Sequence, residues 1–144
     1  MKKIIVVMPA YNAAKTIEAV FKRIPKNTMK KINESIIVND GSKDKTAEVL
    51  KKLNKKYKIK ALTHNPNKGY GAAQKTGFRK ALEDGADIVV LLHSDGQYAP
   101  ELMDKLLLPL EKGQADVVQG SRILGKGAIK GGMPLYKYTG NRIL

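Results

Sequence analysis

The chain has 144 residues, 42% of them hydrophobic, which suits one domain with a sizeable core. It contains no cysteine, so disulfides and thiolate metal sites are excluded, and no apolar run approaches the roughly 18–20 residues that span a bilayer. Lys and Arg total 27 against 13 Asp and Glu, a net charge of +14 that favours anionic partners: nucleic acid, an anionic membrane surface or a phosphorylated ligand.

In chain order, Lys3 to Met8 reads as a first strand, continuous in hydrophobicity and so central and parallel. Pro9-Ala10-Tyr11-Asn12 interrupts it, and Asn12 is the expected N-cap of a helix from Ala13 to Ile24. Ile17, Val20, Phe21 and Ile24 form its apolar stripe, and Pro25 ends it. A second strand, Ser35 to Val38, runs into Asn39-Asp40-Gly41-Ser42, and Asp44 is placed to cap a helix reaching about Tyr57. The segment from Lys43 to Lys60 is lysine-rich, opposed by Asp44 and Glu48 alone; a solvated surface explains it better than an anionic partner does.

A third strand covers Lys58 to Thr63, followed by the turn-rich Asn65 to Gly71 and a helix to about Glu83. Gly77 inside that helix costs roughly 1 kcal/mol against alanine unless close packing needs it. Gly85 is the expected C-terminal cap. Ile88 to Leu92 has the length and β-branching of a strand buried on both faces, and stops at His93-Ser94-Asp95-Gly96. Pro100 opens a helix lined by Leu102, Leu106 and Leu110, with Pro109 expected to kink or end it. Ala115 to Gln119 reads as a fifth strand, ending at Gly120-Ser121-Arg122.

Alternating strands and helices with short loops predict a mostly parallel α/β sheet with helices on both faces. In such a sheet the loops after the strands converge at one edge, where open α/β sheets bind ligands. Those loops bring Pro9, Tyr11 and Asn12, then Asp40, then His93, Asp95 and Gln97, then Arg122. A carboxylate there can hold a hydrated divalent cation on a phosphate ligand, although Ser-Asp-Gly is also ordinary turn chemistry. Gly69-Tyr70-Gly71 lets a backbone approach an anion at a helix start, but without the spacing of a named phosphate loop.

These residues carry a resemblance. Pro9-Ala10-Tyr11-Asn12, Asp40-Gly41-Ser42 with Asp44 and Thr46, Asn67-Lys68-Gly69-Tyr70-Gly71-Ala72, His93-Ser94-Asp95 and Gly120-Ser121-Arg122 follow, in order, the motifs of inverting family 2 glycosyltransferases with a GT-A fold. Within them the chain resembles the polyprenol-phosphate (dolichol-phosphate) sugar transferases, over Ile4 to Arg122. The resemblance implies that Pro9, Tyr11, Asn12, Asp40, Gly69 and His93 bind the nucleotide of a nucleoside diphosphate sugar, with Pro9, Tyr11 and Asp40 around its base and ribose. It implies Asp95 as the ligand of Mg²⁺ or Mn²⁺, Gln97 on the sugar side, and Arg122 offsetting phosphate charge; Asp95 and Arg122 would be the catalytic pair. His93 departs from the family, standing where the metal motif has its first Asp.

The implied acceptor is a polyprenyl phosphate, whose oxygen is already anionic and needs no protein base. Two rivals stand beside transfer: a nucleotide-sugar-binding fragment without turnover, and a basic nucleic-acid-binding domain supported by charge alone. Residues 1–122 are expected to form the nucleotide-sugar domain, and 123–144 the start of an incomplete acceptor-side region. The chain as given is therefore expected to bind a donor without appreciable transfer. A cytoplasmic location is expected, with the tail from Val117 to Leu144, which has basic residues and no acidic one, suited to a membrane surface; nucleic acid is not an expected partner, and the oligomeric state is left open.

Overall fold

The computed structural model describes residues 2–121, 133–136 and 139. The chain divides into two units, Met1–Lys105 and Leu106–Leu144.

The first unit holds a four-stranded sheet, β1 (Ile4–Ala10), β2 (Ile32–Asp40), β3 (Ile59–His64) and β4 (Ile88–Leu91), in the order β3-β2-β1-β4. Every pairing is parallel, with Met8 opposite Ile37 and Val7 opposite Leu91. β1 lies at the centre and all its residues are buried, which explains why its sequence is apolar without alternation. Each large aliphatic side chain buried there contributes about 1.5–3 kcal/mol.

Helices α1 (Ile17–Arg23), α2 (Lys26–Lys31), α3 (Thr46–Asn54) and α4 (Tyr70–Glu83) connect the strands. α4 covers one face, where Ala73, Ala81 and Phe78 meet Ile5, Val7, Ile36 and Val38. Strand alternation turns Ile4, Val6 and Met8 to the opposite face. They are buried too, as are Val20 and Phe21 of α1 and Leu50 of α3. Gly77 of α4 satisfies its packing condition: a Cβ there would stand 2.3 Å from Val7 Cγ1. Gly85, at φ +71°, closes α4 as expected, with Gly85 N–H donating to Leu82 O and Ala86 N–H to Ala81 O.

Several sequence expectations are corrected. Asn12 does not cap α1, because its φ is +50° and the helix begins only after Thr16. Pro25 ends α1 but a further short helix, α2, follows it directly. A 3₁₀ turn, Pro100–Leu102, precedes α5 (Met103–Glu111), which continues past Pro109 instead of ending there.

The second unit contains the end of α5 and, among its described residues, no strand. Ala115–Gln119 is therefore not a fifth strand; the run is short, carries Asp116, and leaves Val117 84% exposed, so nothing repays its extension. No helix of the described residues is long and apolar enough to cross a membrane.

Candidate active site

The chain passes from β1 to β2 to β3 in one direction and then returns to place β4 on the other side of β1. The sheet's switch point thus lies between β1 and β4, where ligands of open α/β sheets bind beyond the carboxyl ends. A cleft of about 510 Å³ opens there. Pro9, Ala10 and Tyr11 follow β1, Asp40 ends β2, and His93, Ser94 and Asp95 follow β4; Asn67, Gly69, Tyr70 and Ala73 complete the lining. Ser94 Oγ–H donates to Pro9 O at 2.9 Å and holds the two switch-point loops together.

Asp40 is the most constrained of these groups. Oδ1 accepts from His64 Nδ1–H at 2.6 Å and from Lys68 N–H at 2.9 Å, while its carbonyl accepts from Asn67 Nδ2–H at 2.5 Å. Burial by itself pushes this carboxyl up, but the Lys68 and Gly69 N–H groups and His64 outweigh it and hold the carboxyl below its usual range. Gly41, at φ +67°, lets the chain turn away after Asp40, and a Cβ there would meet the Asn67 backbone at 2.7 Å.

The loops after β1 and β2 cap one another. Asn12 N–H donates to Ser42 Oγ at 3.0 Å, and Lys43 N–H donates to Asn12 Oδ1 at 2.9 Å. Asp44 accepts from Ala14 N–H, Thr46 N–H and Thr46 Oγ1–H. Its carboxyl is lowered, because these hydrogen bonds exceed the upward push of burial.

At the other wall, Tyr70 O–H meets His93 Nε2 at 2.5 Å, and Gln74 Nε2–H donates to the Tyr70 oxygen at 2.6 Å. The His93 ring also stacks on Tyr98 with centroids 4.2 Å apart. Burial raises the Tyr70 hydroxyl, with Tyr98 and the Asp95 charge adding to it, so the phenol stays a donor. Asp95 is exposed, and its one hydrogen bond among the described residues is Gln97 N–H to Oδ1 at 2.9 Å.

Of the residues expected at the site, Pro9, Tyr11, Asp40, Gly69, His93 and Asp95 line the cleft. Asn12 and Gln97 are not among its lining residues and support the adjoining loops through the bonds just given, and Arg122 lies outside the described residues. Sequence reasoning missed His64. The available signal was its place at the end of a strand parallel to the one ending in Asp40, in register with it.

No group of three or more His, Asp or Glu able to hold a metal occurs among the described residues. A lone exposed carboxylate suits a hard cation that takes its other ligands from phosphate oxygens and water, so Asp95 fits Mg²⁺ or Mn²⁺ in that setting.

The family model "Glycosyl transferase family 2" matches residues 5–143. A UDP-N-acetylglucosamine–dolichyl-phosphate N-acetylglucosaminyltransferase of Methanococcus voltae is 39% identical, over 97% of this chain and 59% of its own length. A dolichol-phosphate mannosyltransferase of Pyrococcus furiosus is 32% identical, over 94% of this chain and 37% of its own. The chain thus spans about half the length of the curated relatives it matches. Among solved structures, S. aureus TarS 1-349 with UDP-GlcNAc superposes with a TM-score of 0.66 at 21% identity, covering 79% of this chain and 32% of that one. The glucosyl-3-phosphoglycerate synthase of Mycobacterium tuberculosis, crystallised with Mn²⁺, UDP and phosphoglyceric acid, gives 0.59 at 26% identity, over 76% and 39% of the two chains. The parallel sheet, its switch-point cleft and these likenesses agree, and the chain belongs to glycosyltransferase family 2, with the GT-A fold.

Proposed function

We propose that this chain binds a nucleoside diphosphate sugar in the switch-point cleft, as the donor side of an inverting transferase whose acceptor is a polyprenyl phosphate. One observation carries the reading: the cleft joins an acceptor-only carboxylate, Asp40, to a second carboxylate, Asp95, across the β1–β4 switch point. The curated relatives named for dolichyl-phosphate transfer support the acceptor. Transfer is proposed for a protein of those relatives' length, and donor binding for this chain.

In this reading Pro9, Tyr11 and Asp40 hold the base and ribose, and Gly69 lets the backbone approach the ligand. Tyr11 supplies a half-exposed ring on which a base can lie. His93, with Nε2 taken by Tyr70 O–H, offers Nδ1–H as a donor toward ribose or phosphate oxygen. Asp95 is the protein's ligand to the divalent cation, Gln97 holds Asp95 in place and stands on the sugar side, and Arg122 adds positive charge. When bound, the cation would offset the charge growing on the leaving diphosphate. The acceptor phosphate is already ionised, so no general base is required of the described residues.

Calorimetry with UDP-GlcNAc and GDP-mannose, each with and without Mn²⁺ or Mg²⁺, tests the reading. Binding of at least one that strengthens with the cation is expected; no binding of either in any condition would overturn it.

A further inference from the structure

A chain of three side chains, Asp40 and His64 buried and Thr76 half-buried, runs away from the cleft, and the donor-site reading leaves two of them unused. Asp40 Oδ1 accepts from His64 Nδ1–H at 2.6 Å, and His64 Nε2 lies 3.0 Å from Thr76 Oγ1 on α4. An ionised carboxylate only accepts, so the proton at that contact sits on Nδ1. With the proton on Nδ1, Nε2 accepts from Thr76 O–H: the carboxylate fixes the tautomer and the hydroxyl holds the plane of the imidazole.

Hydroxyl, imidazole and carboxylate in this order are the parts of a hydrolytic triad, but their direction is reversed. Here the carboxylate end lines the cleft, and Thr76 is not among the lining residues. The hydroxyl is therefore an anchor and no nucleophile. The hydrogen bonds that the Asp40 carboxylate takes from His64 and Lys68 both go to Oδ1. Oδ2 takes neither of these bonds; Gly69 N–H also faces the carboxyl, and Asp40 lines the cleft, so Oδ2 is the oxygen left toward a ligand.

We infer that His64, anchored by Thr76, is a positioning residue for the donor's base: it turns the Asp40 carboxylate so that Oδ2 faces the cleft as a hydrogen-bond acceptor and selects bases that present a ring N–H. Uracil and guanine carry such an N–H. Cytosine presents a ring nitrogen lone pair at the equivalent position, which an ionised carboxylate repels. Burial holds the arrangement rigid, since Asp40 is 3% and His64 8% exposed. The inference rests on the donor-site reading above and adds which base chemistry the site accepts and which residues enforce it.

The test measures dissociation constants of UDP, GDP and CDP with Mn²⁺ present, for the wild type, His64→Phe, His64→Asn, Thr76→Val and Thr76→Ser. In the wild type the better of UDP and GDP should bind at least about tenfold tighter than CDP, the worth of one charge-assisted hydrogen bond. His64→Phe should bring that ratio within about threefold, whereas His64→Asn, which keeps an N–H for Oδ1, should hold most of it. Thr76→Val should lower the ratio and Thr76→Ser restore it. A merely structural role would lower the melting temperature and weaken all three nucleotides together. A ratio unchanged in both His64→Phe and Thr76→Val, or a wild type that binds CDP as well as UDP and GDP, overturns the inference. Should His64→Phe fail to fold, the Thr76 pair decides. A wild type that binds none of the three nucleotides removes the donor-site reading itself, an outcome distinct from a preserved ratio.

Discussion

Gly77 on α4 lies so close to Val7 on β1 that a Cβ would stand 2.3 Å from Val7 Cγ1. The contact sets how near α4 approaches the sheet, and α4 begins at the cleft with Tyr70 and Ala73. Gly77→Ala gains roughly 1 kcal/mol of helix propensity but forces overpacking that costs about 1–3 kcal/mol. The net expectation is a loss of about 1–2 kcal/mol in thermal or urea unfolding. Adding Val7→Ala should recover part of it, because the clash is with that side chain. A Gly77→Ala chain as stable as the wild type would show that the sheet and helix yield freely here.

Asp95 and His93 should separate by their response to metal. Asp95→Asn should abolish the strengthening of nucleotide binding by Mn²⁺, because the other carboxylate lining the cleft, Asp40, is buried and held through Oδ1 by His64 and Lys68. His93→Ala should weaken binding by one hydrogen bond, about 0.5–1.5 kcal/mol, and leave the metal effect in place. Calorimetry with and without Mn²⁺ reads both. Loss of the metal effect in His93→Ala would make His93 a ligand through Nδ1, the nitrogen that Tyr70 does not occupy.

Asp84 sets an acid limb of stability. Its carboxylate is held by Lys60 at 2.6 Å and Lys80 at 3.0 Å, which bring its pKa down to about 2. An unfolded aspartate titrates near 3.9, so the contribution is complete above about pH 4 and fades as the pH falls toward 2. Urea midpoints taken stepwise from pH 5 to pH 2 should fall less steeply for Asp84→Asn than for the wild type. Parallel curves would mean that the two lysines do not favour the folded state.

Asp44 joins the start of α3 to the loop that carries Tyr11, through Thr46 and Ala14. Asp44→Ala should cost about 0.5–2 kcal/mol, the usual loss for a removed cap, and should also weaken nucleotide binding. Asp44→Asn keeps an acceptor oxygen and should lose less. Equal melting temperatures for Asp44→Ala and the wild type would rule out this bracing role.

The sequence by itself determined the sheet and the edge that carries the site. Ile4 to Met8 is apolar without alternation because both faces are covered, and that need is written locally in the residues; Ile88 to Leu91 has the same pattern, but at the end of the strand order it leaves Val89 to Leu91 half-buried. Once the strands are parallel, Asp40 and Asp95 must emerge at the same edge, so their shared cleft was legible too. What the sequence could not determine depends on partners distant in the chain. Asn12 has the chemistry of a cap, but its positive φ and its bonds to Ser42 and Lys43 arise only when two loops meet. Ala115–Gln119 has strand-like residues, yet a strand needs a neighbour, and Val117 ends largely exposed. His64 is one residue of a strand end until register sets it beside Asp40 and α4 brings Thr76 to its other nitrogen. Local pattern carries burial and direction; the pairing of side chains across elements is decided only when the tertiary structure closes.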